Sequence, residues 1–146
     1  MTCWLPLLAL IFQFAARSLG ADPANVIIRD TGLWGLRFLL LTLTVTPLRL
    51  LTGWHDLNER FQLRRTFGLF AFLYSSLHLL GYLWFEQLFD WVAISDDLLT
   101  RPAMTIGFFS FFLLVPLALT STTAMINRLN KRHWQRLHQL IYPITI

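Results

Sequence analysis

The sequence predicts an all-α protein, a polytopic bundle of transmembrane helices with four spans and the start of a fifth. The first observation is composition: of 146 residues, 55% are hydrophobic and 14% are charged, against about 25% charged in soluble domains. The second is that the charges lie in short stretches between long apolar runs. The third is that basic and acidic connecting stretches alternate along the chain, which is typical of helices that cross a membrane repeatedly.

The first apolar run, Cys3 to Ala16, is short for a span, which needs about 20 apolar residues. We interpret it as a shortened first membrane helix. A cleaved signal peptide is the alternative, because Ser18 to Ala21 resembles a small-residue cleavage site. The absence of basic residues before the apolar run disfavours that alternative.

Three longer runs follow. The second, Leu33 to Leu51, comes after a polar stretch, and Pro47 near its inner end can kink or end the helix. The third, Thr66 to Phe85, has about the length of one span, and the fourth, Met104 to Met125, contains no charge. Each run predicts one membrane helix.

A last apolar segment begins at Leu137 and reaches only Ile146. Ten helical residues rise about 15 Å, half of a hydrocarbon core about 30 Å thick. We therefore expect residues 1–146 to form one transmembrane domain that is incomplete at its C-terminus.

The distribution of charge predicts the orientation of these helices. Eight of the twelve basic residues lie in two connecting stretches: Arg49, Arg60, Arg64, Arg65, Arg128, Lys131, Arg132 and Arg136. The stretch 86–101 holds four carboxylates and one arginine. Basic loops stay in the cytoplasm, so 86–101 is expected outside. Orientation alone accounts for the net charge of +4; the basic loops attract anionic membrane lipid, and no nucleic-acid partner is expected.

His78 is the main functional candidate, because ionisable groups inside a membrane are costly. Small residues share its helix face: Gly68, Ala71, Ser75 and Gly81, with Tyr82 beside them. Two interpretations stand equally. Small residues around an imidazole leave room for a flat macrocycle, or they allow close helix packing with His78 hydrogen-bonded across it.

Two further groups carry open alternatives. His138, four residues after Trp134, is either a metal ligand or an interfacial histidine beside an aromatic anchor. Arg37, near the outer end of the second run, either extends its side chain to the head groups or pairs with an anionic cofactor edge such as a haem propionate. His55 and His133 lie in polar basic loops and are expected to be solvated.

Several kinds of chemistry have no basis in the sequence. Neither of the glycine-rich motifs that bind nucleotides, GxGxxG and GxxxxGK(S/T), is present. The Asp and Glu residues fall in predicted loops, which leaves few carriers for a proton relay through the membrane. The single cysteine excludes disulfides within the chain. Redox chemistry on a cofactor held by histidine remains.

A series of short motifs resembles a known family. They occur in order as Gly20–Pro23, Thr42–Arg49, Arg64–Leu69, Leu77–His78, Thr100–Pro102, Leu119–Thr122 and Trp134–His138. Together they closely resemble the haem-binding membrane subunit of the bacterial protein-methionine-sulfoxide reductase system, within the ferric-reductase-like transmembrane group. The match runs from about Leu5 to the end of the chain.

The resemblance implies a six-helix b-type cytochrome in the bacterial inner membrane. Such a subunit passes electrons from the quinone pool, with FMN as a candidate second cofactor, to a periplasmic molybdopterin-containing methionine-sulfoxide reductase. That separate catalytic subunit repairs oxidised methionine in periplasmic proteins. His78 and His138 match haem-ligand histidines of the family. Gly68, Ser75 and Gly81 would then line the haem face, and Arg37 would face a propionate.

Two departures from the family pattern bear on these ligands. The family's later histidine, about thirteen residues beyond His138, falls past Ile146, and Arg65 stands where the wider group has a histidine thirteen residues before His78. Thirteen helical residues rise about 20 Å, which is enough to separate an outer from an inner haem. The resemblance therefore implies that His78 pairs with the later histidine on the outer side and that His138 serves the inner side. The alternatives are a cofactor-less membrane scaffold or assembly fragment, and a ferric-reductase-type haem protein with another acceptor.

Overall fold

The computed structural model describes residues 2–52 and 63–121, and all of its regular structure there is helical. A 3₁₀ turn, Thr2–Trp4, leads into the first helix. The α-helices are α1 (Leu5–Ala15), α2 (Pro23–Thr52), α3 (Leu63–Gly81), α4 (Trp91–Thr100) and α5 (Pro102–Thr120), and α3 continues as a π-helical segment, Tyr82–Glu86. His55, His133 and His138 lie outside the described residues.

Helix α2 begins at Pro23, ten residues before the predicted apolar run. Proline suits the first turn of a helix, and the Asp22 carboxylate accepts a hydrogen bond from the Asn25 N–H at 3.1 Å. Most of the polar stretch before Leu33 is therefore helix rather than connection. The helix continues through Pro47 to Thr52, and its 30 residues rise about 45 Å, more than the thickness of a hydrocarbon core.

Helices α2 and α3 form the most extensive helix pair in the described residues. Phe38 of α2 lies at the centre, 3% exposed, with its ring 5.4 to 6.3 Å from the rings of Phe67, Phe70 and Tyr74 on α3. Ala71 is fully buried in the same cluster. At Ala71 the small-residue face of α3 thus packs on α2, as in the interpretation that small residues allow close helix packing.

The fully buried Tyr74 ties α1 to α3. Its hydroxyl accepts a hydrogen bond from the Leu7 N–H at 3.0 Å and donates one to the Cys3 carbonyl at 3.1 Å. The first N–H groups of a helix have no partner within the helix. Tyr74 therefore satisfies backbone groups at the start of α1 that burial would otherwise leave unpaired.

The outer face of the bundle is strongly apolar. Large hydrophobic side chains are exposed along the helices, among them Phe12, Leu80, Trp84, Ile106, Phe109 and Leu119. Leu69 and Leu80 of α3 and Trp84 of the π-helical segment are exposed, whereas Phe72 stacks on Phe111 of α5, with ring centroids 5.7 Å apart. Apolar exposure of this extent is typical of a surface that faces lipid.

Two described segments are long and apolar enough to cross a membrane, Leu63–Glu86 and Pro102–Thr120, and α1 is a shorter apolar helix. These segments agree with a membrane protein. The count of four spans and the start of a fifth stays a prediction.

The acidic stretch 86–101 contains helix α4, where the sequence predicted a loop. Asp90 caps this helix by accepting hydrogen bonds from the N–H groups of Val92 at 2.9 Å and Ala93 at 3.3 Å. Aspartate is among the preferred N-cap residues. Asp90 therefore stabilises the start of α4 and also contributes to the negative charge of the connection.

We expect Tyr74→Phe to lower the free energy of unfolding by about 1–2 kcal/mol, because it leaves two backbone groups of α1 without their partner. Thermal unfolding in detergent, followed by circular dichroism, measures the change. Ser76→Ala is the control, since among the described residues the Ser76 hydroxyl bonds to the Phe72 carbonyl of its own helix alone. Equal stability of the two variants would contradict the role given to Tyr74.

Candidate functional site

His78 lies near the C-terminal end of α3 and faces α2. Its Nδ1 atom is 2.7 Å from the Ile28 carbonyl oxygen. A carbonyl oxygen only accepts hydrogen bonds, so Nδ1 carries the proton and Nε2 keeps its lone pair. No hydrogen bond reaches Nε2 from the residues that the structure describes. Metal-ligating histidines are oriented by this kind of bond on the other ring nitrogen.

Glycine at position 32 allows this contact. A Cβ at Gly32 would lie 2.8 Å from His78 Nδ1 and 3.0 Å from His78 Cε1. Gly35 has the same role about a turn further along α2, where a Cβ would lie 3.0 Å from the Ser75 hydroxyl oxygen. The two glycines let α3 place its polar side chains directly against the α2 backbone.

The sequence reasoning did not single out Gly32, Gly35 or Ile28. The signal available was the spacing of the two glycines, which places both on one face of a helix. Their partner residues on α3, His78 and Ser75, lie 46 and 40 residues further along the chain. Spacing within one helix does not reveal which helix will pack there.

A cavity of about 730 Å³ opens beside His78. Helices α2, α3, α4 and α5 all contribute to its wall, which includes His78 and Ser75 on α3. Its apolar lining includes Leu33, Leu36, Leu39, Ile94, Leu98, Met104, Phe108, Phe111 and Leu114. Cofactor sites are mostly apolar and have volumes of about 300–1,000 Å³. Along α2 the lining extends from Ile28 to Leu39, a rise of about 17 Å.

Among the described lining residues, the charged side chains lie towards one end of the bundle. Arg29, Glu86 and Arg101 belong to its lining, and they lie near the start of α2, the end of the π-helical segment and the start of α5. Arg101 pairs with Asp97 at 3.2 Å, and Arg29 pairs with Asp30 at 3.3 Å. The cavity therefore has an apolar interior and a charged rim.

The small residues predicted on the haem face are divided by the structure. Ser75 lines the cavity beside His78. Gly81 packs close to Ile28, where a Cβ would lie 3.1 Å from Ile28 Cγ1. Gly68 lies nearer the start of α3, where, among the described residues, a Cβ would meet the Thr42 methyl group at 3.9 Å. The assignment of these residues to a haem face stays a prediction.

Arg37 does not line this cavity. Its side chain is exposed, and its guanidinium carbon lies 4.6 Å from the centre of the Trp34 ring, a cation–π distance. Its pairing with a propionate stays a prediction, as does the role of His138.

The described residues fit a haem in three respects. His78 lines the cavity with Nε2 free of hydrogen bonds from the described residues, the other ring nitrogen is oriented by a carbonyl, and the lining suits an apolar macrocycle. Within residues 2–52 and 63–121, His78 is the one histidine that could ligate the iron.

Comparison with known proteins places these features in a wider context. Residues 31–146 match the family model described as ferric reductase like transmembrane component. The chain is 46% identical over 146 residues to the protein-methionine-sulfoxide reductase heme-binding subunit MsrQ of Rhodospirillum rubrum, covering all of this chain and 69% of that protein. It is 50% identical over 134 residues to the MsrQ of Xanthomonas campestris pv. campestris strain 8004, covering 92% and 60%.

The MsrQ of Azospira oryzae is 47% identical over 142 residues, which cover 97% of this chain and 60% of that protein. The chain thus spans 60% to 69% of the length of these three relatives. No solved structure matches.

We expect Gly32→Ala to weaken haem binding about tenfold, because its methyl group would displace the His78 imidazole from the Ile28 carbonyl. Titration of the haem-depleted protein in detergent measures the affinity. Gly68→Ala is the matched control, since its added methyl group makes an ordinary contact. A Gly32→Ala variant with the affinity of the control would show that the close approach does not position the ligand.

Proposed function

We infer that this chain, which belongs to the ferric reductase-like transmembrane family, is the haem-binding electron-transfer subunit of a methionine-sulfoxide reductase system. Relatives that carry this description are 46% to 50% identical to it. The arrangement of His78 supports the proposal independently of those names.

The single observation that carries the proposal is the cavity of about 730 Å³ that adjoins His78. The hydrogen bond between His78 Nδ1 and the Ile28 carbonyl is compatible with helix packing as well as with iron ligation. Packing alone does not require a cavity beside the imidazole. With the cavity present, the hydrogen bond fixes one tautomer, makes Nε2 a better electron-pair donor and restricts the rotation of the ring.

We propose His78 and His138 as axial ligands, His78 on the outer side of the membrane and His138 on the inner side. Haem b, when bound, supplies one-electron chemistry at its iron. The chain's own contribution is to orient the imidazole through Ile28 and to exclude water with apolar side chains. The role of His138 rests on its match to the family motif.

The proposed electron path crosses the bacterial inner membrane. Its donor is the quinone pool, with FMN as a candidate intermediate carrier, and its acceptor is a periplasmic molybdopterin-containing methionine-sulfoxide reductase. The basic stretches then face the cytoplasm, and 86–101 faces the periplasm, where an acceptor would bind. The catalytic step belongs to that separate subunit.

We expect the full chain, purified in detergent, to give haem b bands in a dithionite-reduced minus oxidised spectrum. His78→Ala removes the axial ligand and should lower the ratio of haem to protein at least about tenfold under limiting haem. His55→Ala is the matched control, because His55 lies in a polar stretch. The proposal is wrong if the wild type shows no haem bands, or if His78→Ala leaves them unchanged.

The proposed orientation can be tested by cysteine labelling, because only one native cysteine, Cys3, has to be removed first. In a Cys3→Ala background, Ser95→Cys should react with a membrane-impermeant maleimide on spheroplasts, since Ser95 is exposed on α4. Asn58→Cys, in the first basic stretch, should react only after the membrane is permeabilised. The reverse labelling pattern would invert the proposed direction of electron flow.

A further inference from the structure

A polar network centred on Asp97 adjoins the charged rim of the cavity. The Asp97 carboxylate accepts hydrogen bonds from the Tyr82 hydroxyl at 2.7 Å and from the Gln87 amide at 2.5 Å, both on Oδ2. Its other oxygen pairs with Arg101 Nε at 3.2 Å. The Asp97 side chain is only 14% exposed. The π-helical segment, the residue that follows it and the start of α5 thus all contact one carboxylate of α4.

This network holds Arg101 by one nitrogen only. Asp97 engages Nε, and within the described residues neither Nη group has a hydrogen-bond partner. The side chain is 66% exposed and belongs to the cavity lining. Arginine donates up to five hydrogen bonds in a planar fork that matches a carboxylate. Arg101 therefore keeps donors for a further anionic group.

Arg29 supplies a second cation to the same rim. It lies on α2 next to Ile28, whose carbonyl orients His78, and it also lines the cavity. Its Nε and Nη2 atoms share a single Asp30 oxygen, at 3.3 and 3.4 Å. Glu86 adds one carboxylate to the rim. An incoming anion would therefore be attracted by the two arginines and repelled by Glu86 and, more weakly, by Asp30 and Asp97, whose charges the arginines already pair.

We propose that Arg101 and Arg29 bind the propionate carboxylates of the haem that His78 ligates, an inference that rests on the proposed function. Asp97 is then a positioning residue for Arg101. Haem has an apolar ring and two ionised carboxylates, which need opposite surroundings. The apolar cavity suits the ring. The exposed arginines keep the carboxylates paired and hydrated, which avoids burying unpaired charge.

This proposal differs from the sequence expectation, which placed a propionate against Arg37. Arg37 is on the same helix as Arg29 but packs on Trp34 and lies outside the cavity lining. It is therefore the matched control: an exposed arginine of α2 that the geometry does not connect with the haem carboxylates.

The test compares two ligands on the full chain in detergent after haem removal: haemin, and haemin dimethyl ester, in which the propionates carry no charge. We expect the wild type to bind haemin roughly tenfold or more tightly than the ester. Arg101→Gln should reduce this preference about tenfold while leaving ester affinity unchanged. Arg101→Lys should retain some of it, because the charge remains.

Two further variants probe the network. Asp97→Asn and Glu86→Gln each remove one carboxylate near the rim, but of the two only Asp97 contacts Arg101 in the described residues. We expect Glu86→Gln to increase the preference, since it removes repulsion alone. Asp97→Asn should give a preference between those of the wild type and Arg101→Gln, because the loss of the contact that positions Arg101 outweighs the loss of repulsion. Arg37→Gln should match the wild type in both affinities.

The outcomes separate this inference from the function on which it rests. If neither ligand binds the wild type, the proposed function is wrong, and this inference fails with it. If both bind equally, or if Arg101→Gln keeps the wild-type preference, only this inference is overturned. If Arg37→Gln loses the preference, the propionates pair with Arg37 instead. A loss of ester affinity in Asp97→Asn would reveal a general structural role and contradict positioning.

Discussion

The close approach of α2 and α3 is the constraint on which the rest of the structure depends. At Gly32 and Gly35 the helices leave no room for a larger residue, because an added Cβ would lie 2.8 Å from His78 Nδ1 or 3.0 Å from the Ser75 hydroxyl oxygen. Because the helices meet there, the His78 imidazole reaches a backbone carbonyl and does not need a side-chain partner. Phe38 and Ala71 then fill the interface further along the same pair.

Buried polar groups in this bundle are paired with backbone more than with one another. Thr31 and Thr42 are buried, and each hydroxyl donates to a carbonyl one turn earlier on α2, to Ile27 and Phe38. Tyr74 pairs with backbone of α1. Unpaired polar groups are costly where water is absent, so such bonds let polar side chains lie within an apolar bundle. His78 follows the same rule while keeping one nitrogen unused by these bonds.

The distribution of polarity across the cavity matches the two kinds of surface on a haem. The interior lining is apolar, while its charged residues, Arg29, Glu86 and Arg101, lie at the end formed by the start of α2 and the start of α5. Asp97 links that end to α4. The sequence identified 86–101 as an acidic connecting stretch from its charge alone. One of its carboxylates, that of Asp97, pairs with Arg101 at the proposed site.

The sequence by itself determined the helical membrane class, the position of His78 within an apolar helix and the family, because apolar length, charge spacing and motif order are local properties. The start of α2 at Pro23 and the helix within 86–101 required capping contacts that apolar runs do not reveal. Only the tertiary structure decided that Ile28 and Gly32 contact His78, and that Arg29 and Arg101 share one cavity while Arg37 lies outside it. These relations join residues on different helices, and periodicity along one helix specifies a face but not the residues that pack against it.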